Sequence, residues 1–333
     1  MFFKGMSFGF MAKNGWYSSP AGKAEVQHLI HSGADSVALM VTIMQDSFAS
    51  TRMYRDFEIT PSDDEVIETI RAFRQAGIKV MLKPIIEHHD STHRCEINFP
   101  EHQEQIAGVV TDYWGEWFRN YTFAMLHYAR ICEQEGVEML LLGCEMTGAD
   151  KREQYWPPMI EKVRKVYHGL LSYNTPSWGD YNVKQNWIRK WFLLLDMVGV
   201  SNYYGVPTPE PNAEKVADFM KLVVDNLEEA SKLMNNMPIF MAEYGVRSVQ
   251  GALERPSDCW RNQNGFDGQI QIDYLDGCNR AFSGRSWWAG GFWWKWDEQQ
   301  NRPYFHHTTG DTGFMIAGKP AEKFFHDMVT PLK

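Results

Sequence analysis

Few features commit this chain to a class at first sight. Its 333 residues include only five cysteines (Cys95, Cys132, Cys144, Cys259 and Cys278), odd in number and without a CxxC pair. That excludes a disulfide-stapled scaffold and a zinc ribbon, and reduced thiols in a reducing compartment are expected. No stretch approaches the ~20 consecutive apolar residues of a membrane span. The start, MFFKGMSFGFMAKNG, has no basic segment followed by an apolar one, so no signal peptide and a cytoplasmic location are expected. Lys/Arg-rich runs are missing too, and 33 basic against 42 acidic residues give a net charge of −9. Nucleic acid and anionic membranes require a basic surface, so neither is an expected partner. Gly5 and Gly9 do not make GxGxxG, and no P-loop or GxSxG occurs. Dinucleotide, phosphoryl-transfer and serine-hydrolase chemistries therefore have no anchor.

What is present is an alternation. Eight apolar runs read as strands: Gly5 to Met11, Ser36 to Gln45, Lys79 to Glu87, Met139 to Met146, Leu171 to Thr175, Met197 to Tyr204, Pro238 to Gly245 and Gly290 to Asp297. Helical periods separate them, with recognisable ends. Ser19-Pro20 supplies an N-cap and an N1 proline, and Ser62 with Glu65 forms a capping box ahead of Val66, Ile67, Ile70 and Phe73. Further helices are expected over about 112–134, 154–169, 185–195, 213–234, 268–281 and 319–328. Strands alternating with helices without a composition break predict the α/β class, as a single (β/α)8 TIM barrel forming one catalytic domain over residues 1–333.

Two strands end out of pattern. A strand covered on both faces is apolar throughout, yet MLLLGCEM closes on Glu145 and PIFMAEYG on Glu243. Acids at the carboxyl ends of barrel strands point at the active-site rim. Paired carboxyls on one rim suit glycoside cleavage, where one acts as proton donor and the other as nucleophile or base. In a retaining scheme Glu145 is the acid/base, kept protonated by a partly apolar setting, and Glu243 is the nucleophile, kept ionised by donors. Tyr203 or Tyr204, ending strand six, is placed to donate to it.

An aromatic share of 14%, with 13 Trp, suits a groove that stacks on sugar faces as well as a core. Trp294 and Trp296 share one face of strand eight by alternation, and Trp16 and Trp178 fall on predicted upper loops; all four are candidate sugar platforms. The histidines (His88, His89 and His93 with Asp90, and the pair His306-His307) invite a metal reading. Metal-dependent hydrolase barrels usually carry HxH on strand one, which has no histidine here. No metal and no cofactor is expected.

Laid out in this order, the chain resembles glycoside hydrolase family 113. The carriers are GMSF at Gly5, MLKP at Met81, HRCEIN at His93, LGCE ending at Glu145, GVSNYY at Gly199, AEYGVRS at Ala242, FWWKW at Phe292 and GKPA at Gly318. The resemblance implies a retaining β-mannan-active barrel with Glu145 as acid/base and Glu243 as nucleophile, acting on manno-oligosaccharides. It also implies that Arg94, Glu96 and Asn98 line the cleft. Three positions depart from the pattern: Cys144 stands where the wider clan has Asn, His93 where the family has Trp, and Ile85 where it has His. Another β-linked sugar, or an inactive barrel that only binds sugar, are the alternatives.

Overall fold

In the computed structural model, the described residues are 1–101, 103–104, 108–176, 188–208, 210–259, 261–296, 306–307 and 310–329. Eight parallel strands close into a barrel: β1 (Phe3–Phe8), β2 (Ser36–Gln45), β3 (Lys79–His88), β4 (Met139–Cys144), β5 (Leu170–Pro176), β6 (Val198–Asn202), β7 (Ile239–Tyr244) and β8 (Trp288–Trp296). Each pairs with its neighbours in sequence order, and β1 pairs with both β2 and β8, which closes the ring. The α/β barrel expected from the alternation is therefore present.

The helices start where their caps dictate. Ser19 accepts from the Gly22 N–H at the head of α1 (Pro20–Ile30). Ser62 and Glu65 make the reciprocal capping box of α2 (Asp63–Gln75). Helix α3 (Tyr113–Glu135) stops at Gly136, whose φ of 64° is the left-handed conformation glycine adopts most easily. Helices α4 (Trp156–Arg164), α5 (Ala213–Leu233), α6 (Gln269–Phe282) and α7 (Pro320–Asp327) complete the outer layer. Between β5 and β6 the described residues form a 3-10 turn, Lys190–Leu194, where an α-helix is expected from the sequence. No helix among the described residues is long and apolar enough to cross a membrane.

Two hydrophobic layers follow from the strand period. Inside the barrel Phe3, Met81, Leu141, Phe240 and Phe292 fill the lower bore, with the Phe3 ring 5.2 Å from Phe292 and 5.6 Å from Phe240. Outward-facing residues pack under the helices, where most tryptophans lie. Trp156 and Trp191 stack at 4.1 Å, and Trp114, Trp117, Trp293 and Trp296 are fully buried. Much of the aromatic richness is thus structural. The plugged lower bore leaves the upper rim, at the carboxyl ends of the strands, as the place where polar side chains converge.

Candidate active site

The chain enters the site at Glu145, the residue after β4. Its φ of 52° is left-handed, a conformation that costs a non-glycine residue about 1–3 kcal/mol. The turn is held by its N–H, which donates to the Asn174 carbonyl of β5 at 2.8 Å. The carboxylate is buried and surrounded by donors. Arg94 Nη2 lies 3.3 Å from Oε2 and His93 Nε2 3.5 Å away. The His93 Nδ1 accepts from the Cys95 N–H, which leaves its proton on Nε2, facing Glu145. Ser201 at the end of β6 also bonds Glu145, and Asn174 donates to Ser201 Oγ at 2.8 Å.

Burial pushes the Glu145 carboxyl up, but His93, Arg94 and Ser201 outweigh it and hold its pKa down at about 2. A partly apolar, proton-retaining setting is therefore not what surrounds it. The reason is long-range: Arg94 arrives from the loop after β3. Arg94 also donates from Nη1 to Glu87 Oε1 at 2.6 Å, so one guanidinium bridges two carboxylates. Burial raises the Glu87 carboxyl in spite of that partner.

Glu243 lies near the end of β7, where a register shift against β6 pairs Glu243 with Ser201 two positions after Met241 pairs with Val200. This bulge lets Ala242 fill the bore while Glu243 also turns toward the rim. Its Oε1 accepts from Lys83 Nζ, and the Cys144 thiol donates to the same oxygen at 3.5 Å. Tyr203 donates to Oε2 at 3.1 Å. Burial, with the charges of Glu243 and Glu145, pushes the Tyr203 phenol well up, so it stays a donor. Burial likewise pushes the Cys144 thiol up, which keeps it neutral. Lys83 is raised: burial alone would lower it, and the surrounding anions outweigh that. Just beyond, a Cβ on Gly245 would meet the Trp294 carbonyl at 2.2 Å, so only glycine lets β7 pass β8 there.

Buried Glu145, Glu243 and Arg94 and the half-buried Tyr203 thus come together as one polar cluster. Trp294 joins them, its ring 5.8 Å from Lys83 Nζ and 5.2 Å from Phe10. Tyr204 faces the other way, into the outer layer near Tyr274. Trp296 corrects the expectation from alternation. Between Met6 and Phe8 of β1 the partner strand advances from Trp293 to Trp296, an extra residue that turns Trp296 outward. There its Nε1 donates to Glu25 Oε2 at 3.0 Å and its ring meets His28 edge-on. Trp16 is half-buried against the outer layer, and Trp178 lies outside the described residues. Glu96 and Asn98 are exposed and line a separate pocket of about 330 Å³ with Phe48, Thr147 and Lys151, just past Glu145. Among the described residues no group of three or more His, Cys, Asp or Glu is arranged to hold a metal. Two further charged residues of β3 join the polar cluster: Lys83, inside the strand, and Glu87, which closes the apolar run Lys79 to Glu87 as Glu145 and Glu243 close theirs.

The family model described as Glycoside Hydrolase Family 113 matches residues 6–319. The chain belongs to glycoside hydrolase family 113. It is a glycoside hydrolase, and three solved structures set its nearer and more distant likenesses. A β-mannanase of family 113 from Alicyclobacillus acidocaldarius, in complex with ManMIm, is 27% identical with a TM-score of 0.83, over 98% of this chain and 96% of that one. A β-1,4-mannanase of the same family, solved as a complex, is 29% identical with a TM-score of 0.80, over 98% and 97%. A Faecalibacterium prausnitzii β-glucuronidase, 15% identical with a TM-score of 0.60, shares the fold over 98% of this chain but 48% of its own. No curated protein matches.

In this family 113 chain the cluster-facing Trp294 and the outward-facing Trp296 are expected to respond differently to truncation. Trp296→Ala is expected to cost about 3–5 kcal/mol of stability, read as a lower melting temperature, while KM stays unchanged. Trp294→Ala is expected to raise KM about tenfold with a smaller loss of stability. For Arg94→Met the sign follows from the charge removed. Without the guanidinium the Glu145 carboxyl titrates higher, so the alkaline limb of kcat/KM should move to higher pH by roughly 1–3 pH units. A pH profile that only drops in height would assign Arg94 to substrate contact alone.

Proposed function

We propose that the chain is a retaining glycoside hydrolase that cleaves β-1,4-mannosidic linkages, with Glu145 as acid/base and Glu243 as nucleophile. The observation that carries this is one cluster joining two strand-end carboxylates of unlike surroundings, Glu243 against Lys83 and Tyr203, and Glu145 against Arg94 and His93. Two carboxyls on one rim of strand ends are what glycoside cleavage requires. Glu243 attacks the anomeric carbon as Glu145 gives its proton to the departing oxygen. Water then attacks the glycosyl ester, Glu145 takes the proton, and Glu243 leaves as carboxylate. The donors around Glu145 keep it ionised, the state from which it takes the proton in the second step. Its acid form fills at low pH, so an acidic optimum is expected.

Mannose as the sugar is supported by the 27–29% identical structures, which are β-mannanases. The pocket lined by Glu96, Asn98, Lys151 and Thr147 (two residues beyond Glu145 in the chain) carries polar groups suited to sugar hydroxyls. Trp294 serves as floor beneath the sugar whose bond is cut. All five cysteines are free, in keeping with a cytoplasmic enzyme working on short oligosaccharides as one catalytic domain over residues 1–333. The test is product analysis on mannobiose through mannohexaose, on intact mannan, and on aryl β-mannosides, β-glucosides and β-xylosides. Turnover of the oligosaccharides and of the β-mannosides is expected; a clear preference for polymer would contradict the short-substrate reading, and a preference for glucosides or xylosides the choice of mannose.

A further inference from the structure

Lys83 sits in the middle of β3 with no solvent exposure, and its Nζ is bonded to Glu243 Oε1. Stability alone does not explain this pair. Taking two charges out of water costs about what their attraction returns, and apolar residues of the same volume often do as well. The distribution of donors on Glu243 is more informative. Among the described residues, Oε1 takes both Lys83 and the Cys144 thiol, whereas Oε2 takes Tyr203 alone, at 3.1 Å. The less encumbered oxygen, Oε2, is the one able to leave its partner and attack carbon. Oε1 then becomes the carbonyl oxygen of the ester, with the ammonium still on it.

On the reading of Glu243 as nucleophile, we infer that Lys83 is a further catalytic residue, a fixed cation on the ester carbonyl that speeds breakdown of the glycosyl-enzyme. The charges balance without any proton leaving Lys83. In the first step Oε2 bonds to the anomeric carbon, the glycosidic bond breaks, and the Glu145 proton goes to the departing oxygen. The Glu243 carboxylate loses its charge, so a cation beside it stabilises the starting state more than the transition state. In the second step water bonds to the anomeric carbon and gives a proton to Glu145. The bond to Oε2 breaks, and its electron pair returns charge to the carboxylate beside the ammonium. Only interactions stronger in the transition state than before it accelerate a step, so Lys83 favours the second step over the first. Trp294, whose ring lies 5.8 Å from Nζ, helps keep water from this ion pair.

The full-length Lys83→Met variant on 2,4-dinitrophenyl β-mannoside tests this. The expected result is a kcat about 10²-fold lower, with KM falling in at least the same proportion because the ester accumulates, so that kcat/KM is not lowered. A burst of dinitrophenolate equal to the enzyme concentration should appear. KM does not depend on the fraction of protein folded, and if Lys83→Met does not fold, Lys83→Gln, a neutral side chain that still donates, takes its place. Equal losses in kcat and kcat/KM, with KM unchanged and no burst, would overturn the role of Lys83 while leaving Glu243 untouched. Mass analysis of the accumulated ester separates the two levels. An adduct on Glu243 supports both, and an adduct on another residue overturns the assignment of Glu243 and, with it, that of Lys83.

Discussion

Glu243→Ala is expected to lose kcat by a factor on the order of 10⁴–10⁶, the scale seen when a covalent nucleophile is removed. Substrate binding should survive, since the Trp294 floor and the Glu145 side of the cleft are unaltered. The loss should be partly reversed by azide. Truncation opens the space the carboxylate filled, beside Lys83 and Tyr203, both of which donate to an anion. Azide entering there attacks the face Glu243 used, so the product is a glycosyl azide of inverted configuration. Full activity in this variant would remove Glu243 from its role. Stability makes an independent check: Lys83 is left as a buried, unpaired cation, so the Ala variant should melt lower than Glu243→Gln.

Glu145→Ala should behave differently, and the difference identifies the acid/base. On manno-oligosaccharides, whose leaving group needs a proton, kcat/KM is expected to fall by about 10²–10⁴-fold. On 2,4-dinitrophenyl β-mannoside, whose phenolate leaves unaided, the first step should be nearly unaffected and the second slow. Azide then accelerates turnover by attacking the ester from the face water uses, and the glycosyl azide keeps the substrate's configuration. Equal losses on both substrates would mean that Glu145 does not serve as proton donor. The alkaline limb of the kcat/KM profile should also vanish in this variant, because the group whose protonation it reports is gone.

The parts of the molecule legible in sequence are those set by local rules. Strand β2 was readable end to end because all ten residues are buried and all but the last, Gln45, are apolar or small. The Ser62–Glu65 box and the Ser19 cap reported their helices directly. Glu145 and Glu243 stood out for one physical reason, an acid terminating a buried strand. What stayed hidden depends on partners distant in the chain or on a single extra residue. Alternation placed Trp296 beside Trp294, and the bulge opposite Met6–Phe8 turned it away. Arg94 could be tied to the cleft only through the family resemblance. That it grips both Glu87 and Glu145, and so sets the charge state of the latter, depends on how the loop after β3 folds back. Lys83 was visible as a charge in an apolar strand, but nothing local says that its partner lies 160 residues later, on β7.

The central claim, a double displacement through Glu243, is tested most directly by the anomer formed first. Proton NMR on mannohexaose, recorded before mutarotation scrambles the new reducing ends, is predicted to show the β-anomer appearing first and the α-anomer only later. Initial release of the α-anomer would mean a single displacement by water, and Glu243 could not then be the nucleophile.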